Sequence, residues 1–296
     1  MNIAEIFIYP GIAFLILTGI LLSGILRKIT ARMQSRIGPP IIQPLYDILK
    51  LLSKENIRPK QAKQGFTLWP ALSLVSLIIT GLMVPIAGIT ALGAGDIIVI
   101  VYFLAFGSFA AYLSGFVSGN PFGAIGASRG IMQMISYEFP FIMALLFPVV
   151  FLNTLSIAEL NSIQIATGTW NIYLFPIAGI IFLLAMLAAL EIPPFHIPSA
   201  HQEIVGGYST EYTGTRLAYL ELAHMVKLVV VLSIAIAVFL GGANTIYVFG
   251  AKLLILIFSI TLVRVLMARL RIDTGLRFYW ALGYILIADY VLRLLL

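Results

Sequence analysis

Almost uncharged apolar stretches recur from one end of this chain to the other, near 6–26, 68–91, 97–117, 130–152, 172–191, 214–240, 247–268 and 276–295. Each is long enough, or nearly so, to cross about 30 Å of hydrocarbon as a helix. A single soluble core cannot absorb apolar runs separated only by short polar gaps. The composition agrees: 61% of residues are hydrophobic and 10% charged, whereas a soluble domain carries roughly 25% charged residues. The expectation is an all-α, polytopic integral membrane protein: one membrane domain over 1–296, with about eight transmembrane helices and long polar connections at 27–67 and 192–213. The first apolar run follows Glu5 and has neither a basic leader nor a small-residue cleavage site, so it reads as a helix and not as a signal peptide.

Cysteine is absent. The chain therefore supplies no disulfide, no thiolate ligand and no all-cysteine iron–sulfur site, and any redox centre belongs to another chain. The net charge of +6 says less than its distribution, because nine of the eighteen Lys and Arg residues lie between Arg27 and Lys63. By the positive-inside rule the connections at 27–67 and 192–213 face the cytoplasm, and both termini lie outside the cell membrane. Such clustering suits acidic lipid and partner surfaces, and nothing in it calls for nucleic acid.

Residues 41–55, IIQPLYDILKLLSKE, place Leu45, Ile48, Leu49 and Leu52 at helical spacing beneath Asp47, Lys50 and Lys54. That pattern predicts a cytoplasmic amphipathic helix lying in the interface, as a lipid anchor or a partner platform. The connection at 192–213 is too polar to span and is rich in Pro and Gly, so an irregular, ordered loop is expected there.

Ionisable side chains inside a span cost about 2.5–3.5 kcal/mol each on insertion scales and call for partners or water. Glu138 is one. Glu221, His224 and Lys227 are three more, spaced by three residues and so gathered toward one side of a helix. Two readings are open for them: a self-neutralising Glu–Lys arrangement, or a hydrated proton or cation path shared with Glu138, Glu191, Glu203 and Glu211. Asp289 and Arg293 stand at i and i+4 and read as a local ion pair, while Lys252 can snorkel to the interface. His196, His201 and His224 match no common zinc spacing, and no metal site is expected.

Three blocks carry a resemblance: RIGPPIIQPLYDILKLLSKE at 36–55, SRGIMQMISYEFP at 128–140 and EIPPFHIPSAHQEIVGGYSTEYTG at 191–214. They resemble the membrane-embedded subunit 1, also called the H-subunit, of respiratory complex I and its relatives in energy-converting membrane-bound hydrogenases. The resemblance implies a subunit with no cofactor of its own, enzymatic only as part of a larger oxidoreductase. Iron–sulfur clusters and a NiFe centre would reside in peripheral iron–sulfur and hydrogenase-like subunits on the cytoplasmic face. Other membrane subunits, including antiporter-like ones, and lipid would surround it. Glu138, Glu203 and Glu211, with Glu191, would belong to an acidic path, and Arg36, Asp47, Lys50, His196 and His201 would lie beneath the peripheral arm.

The sequence departs from the quinone-reducing members at informative places. His196 follows the Pro-Phe pair where Asp is common, His224 replaces a frequent Glu, and Glu221 and Lys227 occupy usually neutral positions. These departures resemble the hydrogenase or ferredoxin-linked branch. The implied function is a membrane anchor that couples cluster-based electron transfer to H⁺ or Na⁺ translocation. The alternatives are a quinone-binding subunit of complex I and, in another class, a stand-alone ion transporter.

Overall fold

The computed structural model describes residues 3–93 and 95–295, apart from the side chains of residues 3, 4 and 201. Among the described residues, thirteen α-helices follow in order: α1 (Ile3–Phe7), α2 (Ile12–Met33), α3 (Gln43–Ser53), α4 (Leu68–Met83), α5 (Ile97–Val117), α6 (Pro121–Leu152), α7 (Ile157–Thr167), α8 (Asn171–Leu174), α9 (Pro176–Ala189), α10 (His201–Ile204), α11 (Gly214–Val238), α12 (Ile246–Leu266) and α13 (Ile272–Leu295). A short 3-10 turn, Gly207–Ser209, precedes α11. Six helical stretches, Glu5–Met33 together with α5, α6, α11, α12 and α13, are long and apolar enough to cross a membrane, and α4 and α9 are shorter apolar helices. Among the described residues, extended pairing is limited to two isolated bridges, Ile86 with Ile89 and Asp96 with Ser156. The chain is an all-helical, polytopic membrane protein.

Local chemistry sets the helix ends. In the apolar stretch near 68–91 the helix stops at Met83, because Pro85 pushes Val84 to an extended backbone and the chain turns back between Ile86 and Ile89. The stretch near 172–191 is broken at Phe175, with Pro176 starting α9. Hydropathy near 130–152 understates α6, which begins nine residues earlier at Pro121, where the Asn120 side chain accepts from the Phe122 amide at 2.8 Å. Its 32 residues run for about 48 Å, so α6 stands proud of the hydrocarbon and carries Arg129 in its first turns. Helix α7 is not an apolar run at all; its signal is the pair Ser156 and Glu159, with Ser156 capping the Glu159 amide.

The bundle is organised around α11, whose apolar stretch is 89% buried, against 33% for α12 and 17% for α13. It packs on α2, α3, α4, α7 and α12, while α6 packs on α5, α9 and α13, and α5 joins the groups through α4 and α6. Helix α3 docks through Ile48, which is buried with Ile20 of α2 and Met225 of α11. Leu49 and Leu52, assigned by periodicity to the same apolar face, stay exposed together with Tyr46. Arg27 and Asp47, 3.0 Å apart, tie α3 to α2.

The end of α11 is sealed by polar side chains. Gln164 donates to the carbonyls of Ala237 and Val238 and accepts from the Gly241 amide, and Asn171 also donates to Val238. Lys252 does not simply snorkel: its ammonium donates to the Leu240 and Gly242 carbonyls and lies 5.0 Å from the Trp170 ring centroid. These groups satisfy helix-end carbonyls that would otherwise be buried unpaired. Arg293 pairs with Asp289 at 3.2 Å and also donates to the Leu174 carbonyl, fixing the end of α13 on α8.

Candidate ion-coupling site

Glu191 lies just past the end of α9, where the chain turns into the irregular loop. It is 7% exposed and adopts a left-handed backbone, φ 53°, a conformation that costs a non-glycine residue of order 1–3 kcal/mol. Its surroundings hold it there. The Tyr112 hydroxyl of α5 donates to Oε1 at 2.8 Å, and Ser199 approaches Oε2 at 3.4 Å. The Glu191 carbonyl meets Nδ1 of His196 at 2.7 Å. Burial is the main cause that holds the His196 imidazole below its usual pKa range, outweighing the pull of Glu191 in the other direction.

Close packing brings these groups together. The Tyr112 ring lies against Gly130 of α6, where a Cβ would come within 2.5 Å of its Cδ1, and it meets Tyr208 edge-on at 5.4 Å. The loop reaches α6 through Gly126, where a Cβ would sit 2.7 Å from the Gly207 Cα. Only a backbone without a side chain permits that approach.

Lys227 of α11 is 4% exposed. Glu191 and Glu138 are both within its electrostatic reach. Among the described residues it forms no direct ion pair. Tyr208 is within electrostatic reach of both Glu191 and Glu221, and Tyr137 of both Glu138 and Glu191. Carboxylates, phenols and one ammonium thus run from Glu221 past Tyr208, Tyr112 and Glu191 to Lys227 and Glu138. An arrangement like this can redistribute charge when one member gains or loses a proton.

Helix spacing gathers Glu221, His224 and Lys227 on one side of α11, but the structure gives them different surroundings. Glu221 and His224 line a cavity of about 170 Å³ with Arg27, Arg264 and Met225, and Lys227 sits in the core. Glu203 is half-exposed and is bound by Arg129 at 2.5 Å and by Arg269 at 3.3 Å. The Arg129 hydrogen bond, helped by Arg269, holds its carboxyl below the usual carboxylate range. Glu211 accepts from the side-chain amide of Asn120 and lines a surface pocket with Lys60 and Phe122. Arg36 and Lys50 are exposed, and Asp47 is the partner of Arg27. His201 begins α10, and its side chain lies outside the described residues. Tyr112 and Tyr208 belong to the site yet carry no charge pattern, so the hydropathy and charge readings pass over them. The signal for Tyr112 is Gly130, a glycine inside a helix that has to face something large.

A bundle of long apolar helices that buries one carboxylate, Glu191, and one ammonium, Lys227, belongs to the class of polytopic membrane proteins with ionisable groups in their interior. The chain matches the NADH dehydrogenase family over residues 6–293. It is 35% identical over 278 residues to the NADH-quinone oxidoreductase H-subunit of Protochlamydia amoebophila, covering 86% of this chain and 85% of that one. It is 33% identical over 297 residues to an H-subunit of the same enzyme from Geobacter metallireducens, covering 90% of each. The fold is similar to a chain of the archaeal membrane-bound sulfane sulfur reductase, a respiratory membrane complex, with TM-score 0.88, 26% identity and 94% of each chain covered. The chain belongs to the H-subunit family of NADH dehydrogenase and is a membrane subunit of a complex I-like respiratory complex.

Proposed function

We propose that this chain is the anchor and coupling subunit of a ferredoxin-linked, membrane-bound-hydrogenase-type complex. It joins cluster-based electron transfer in soluble partners to ion movement through the membrane. The observation that carries the reading is Lys227, buried without a direct ion pair and within electrostatic reach of Glu191 and Glu138, because a buried charge without direct pairing is expensive and marks a functional site. A charge change in a neighbouring cluster moves protons here only by interacting differently with two arrangements of these groups.

His196 and His224 support the ferredoxin-linked branch over the quinone-linked one. The names of the bacterial relatives favour the quinone-linked reading, in which quinone would be the acceptor. Assays on the intact complex decide between them: hydrogen evolution driven by reduced ferredoxin is expected, and quinone reduction without it would replace this reading with the second.

The face built from Arg27 to Lys63 and Glu191 to Tyr212 is the proposed cytoplasmic dock for iron–sulfur subunits. Stable interfaces bury over about 1,000 Å². Exposed Arg36, Ile37 and Lys50 should therefore resist protease and crosslinker in the complex and react readily in the isolated chain. Equal reactivity in both forms would remove the dock.

A further inference from the structure

Toward the end of the bundle where α2 and α12 finish, two opposite charges line one cavity without meeting. The cavity, about 170 Å³, lies between Arg27 of α2, Glu221 and His224 of α11 and Arg264 of α12, with Leu26 and Leu228 as apolar walls. It has room for several waters, each with a share of about 30 Å³, or for one small headgroup. Arg264 is half-buried and has Arg27 within its electrostatic reach. Arg27 has its own partner, Asp47, at 3.0 Å. Among the described residues Arg264 forms no ion pair, and neither does Glu221. Glu221 also borders a surface pocket with Lys50 and Lys54, yet pairs with neither. A partly desolvated guanidinium and carboxylate are each stabilised by a charged hydrogen-bond partner. Here the helices hold the two apart, so what suits both is a ligand that carries both signs.

We propose that this cavity binds the headgroup of an amine-bearing membrane phospholipid, with the phosphate on Arg264 and Arg27 and the ammonium on Glu221. A guanidinium fork matches two phosphate oxygens, and a carboxylate accepts the N–H groups of a primary ammonium. A headgroup that is anionic throughout would set its phosphate against Glu221, and like charges repel. A choline headgroup carries the positive charge but has no N–H to donate. The depth suits a lipid. Arg264 stands in the last turn of α12, and Arg27 lies about 9 Å before the end of α2, so both reach the headgroup level and not the middle of the hydrocarbon. Asp47 ties Arg27 to α3, whose exposed Tyr46, Leu49 and Leu52 form an apolar face suited to the bilayer surface. That neighbour favours a lipid over a soluble zwitterion. The site goes beyond the coupling role and uses neither Glu191 nor Lys227.

The test uses the intact complex, stripped of lipid in detergent and returned to nanodiscs of phosphatidylcholine alone, with added phosphatidylethanolamine, or with added phosphatidylglycerol. Native mass spectrometry reads the retained lipid, and a high-resolution map reads its place. Wild type should retain phosphatidylethanolamine in preference to the other two, with headgroup density between Arg264 and Glu221. Arg264→Met and Glu221→Gln each remove one charged hydrogen-bond partner and should each lower that retention roughly tenfold. Their selectivities should differ. Glu221→Gln lifts the repulsion of an anion and should take up phosphatidylglycerol better than wild type, whereas Arg264→Met should not. Excess soluble glycerophosphoethanolamine should leave the bound lipid in place.

Equal retention of the three lipids by wild type, or unchanged retention in both variants, would overturn the inference. So would a cavity filled in the map by a partner's side chain or by water alone. Displacement by glycerophosphoethanolamine would replace the lipid with a soluble zwitterion. If Arg264→Met fails to assemble, Glu221→Gln, which keeps the side-chain size, and the wild-type map still decide.

Discussion

Lys227→Met is expected to abolish most ion pumping while the complex still assembles, and the loss should be coupled to Glu191 before any other residue. Methionine keeps the length and apolar volume of the lysine stem, so the packing of α11 is little disturbed. The ammonium is what disappears, and with it the charge that Glu191 and Glu138 both feel. Breaking a direct buried pair from one side costs about 3–5 kcal/mol. No direct pair to Lys227 exists among the described residues, so a smaller loss of stability and a larger loss of coupling are expected.

Double changes separate the partners. Lys227→Met combined with Glu191→Gln should show the greatest non-additivity, and combined with Glu138→Gln the next. Combined with Glu221→Gln, whose side chain lines the cavity beside His224, the non-additivity should be the smallest of the three. Pumping is read in proteoliposomes and stability by thermal unfolding in detergent. Wild-type pumping by Lys227→Met would sink the coupling role, and collapse of the complex would return the lysine to a purely structural one.

Gly130→Val should be strongly damaging although it changes no charge in the site. A Cβ at this position would meet Cδ1, Cε1 and Cγ of Tyr112 at 2.5, 2.6 and 2.9 Å. The ring is fully buried and cannot swing away without leaving Glu191. Overpacking costs about 1–3 kcal/mol, and a lost hydrogen bond to a charged group about 1.5–3 kcal/mol. The unfolding midpoint should fall accordingly and pumping should fall with it. Tyr112→Phe removes only the hydrogen bond and should impair pumping with a much smaller loss of stability. Gly250→Ala in α12, where a Cβ meets nothing within 4 Å, should be neutral or slightly stabilising. If Gly130→Val and Gly250→Ala behave alike, the tyrosine contact is not what the glycine serves.

The apolar runs by themselves determined the membrane character and the all-helical class, because hydropathy and the 3.6-residue period are local properties of a helix. The three motif blocks were enough to point to the family. Glu138, Glu191 and Lys227 could be singled out one by one, since a charge in an apolar run is visible wherever it folds. Their grouping was not visible. Tyr112 and Glu191 are 79 positions apart, and Lys227 comes within electrostatic reach of Glu191 and Glu138 because α11 lies at the centre of the bundle. Periodicity placed Lys227 with Glu221 and His224 on one side of a helix, but it could not say which neighbours each would meet there. The structure also decided that Glu203 is clamped at the surface by Arg129 and Arg269 and that Gln133 carries an unpartnered oxygen. Helical spacing sets the direction of a side chain along its own helix, whereas burial, pairing and the need for water depend on what the other helices bring to it.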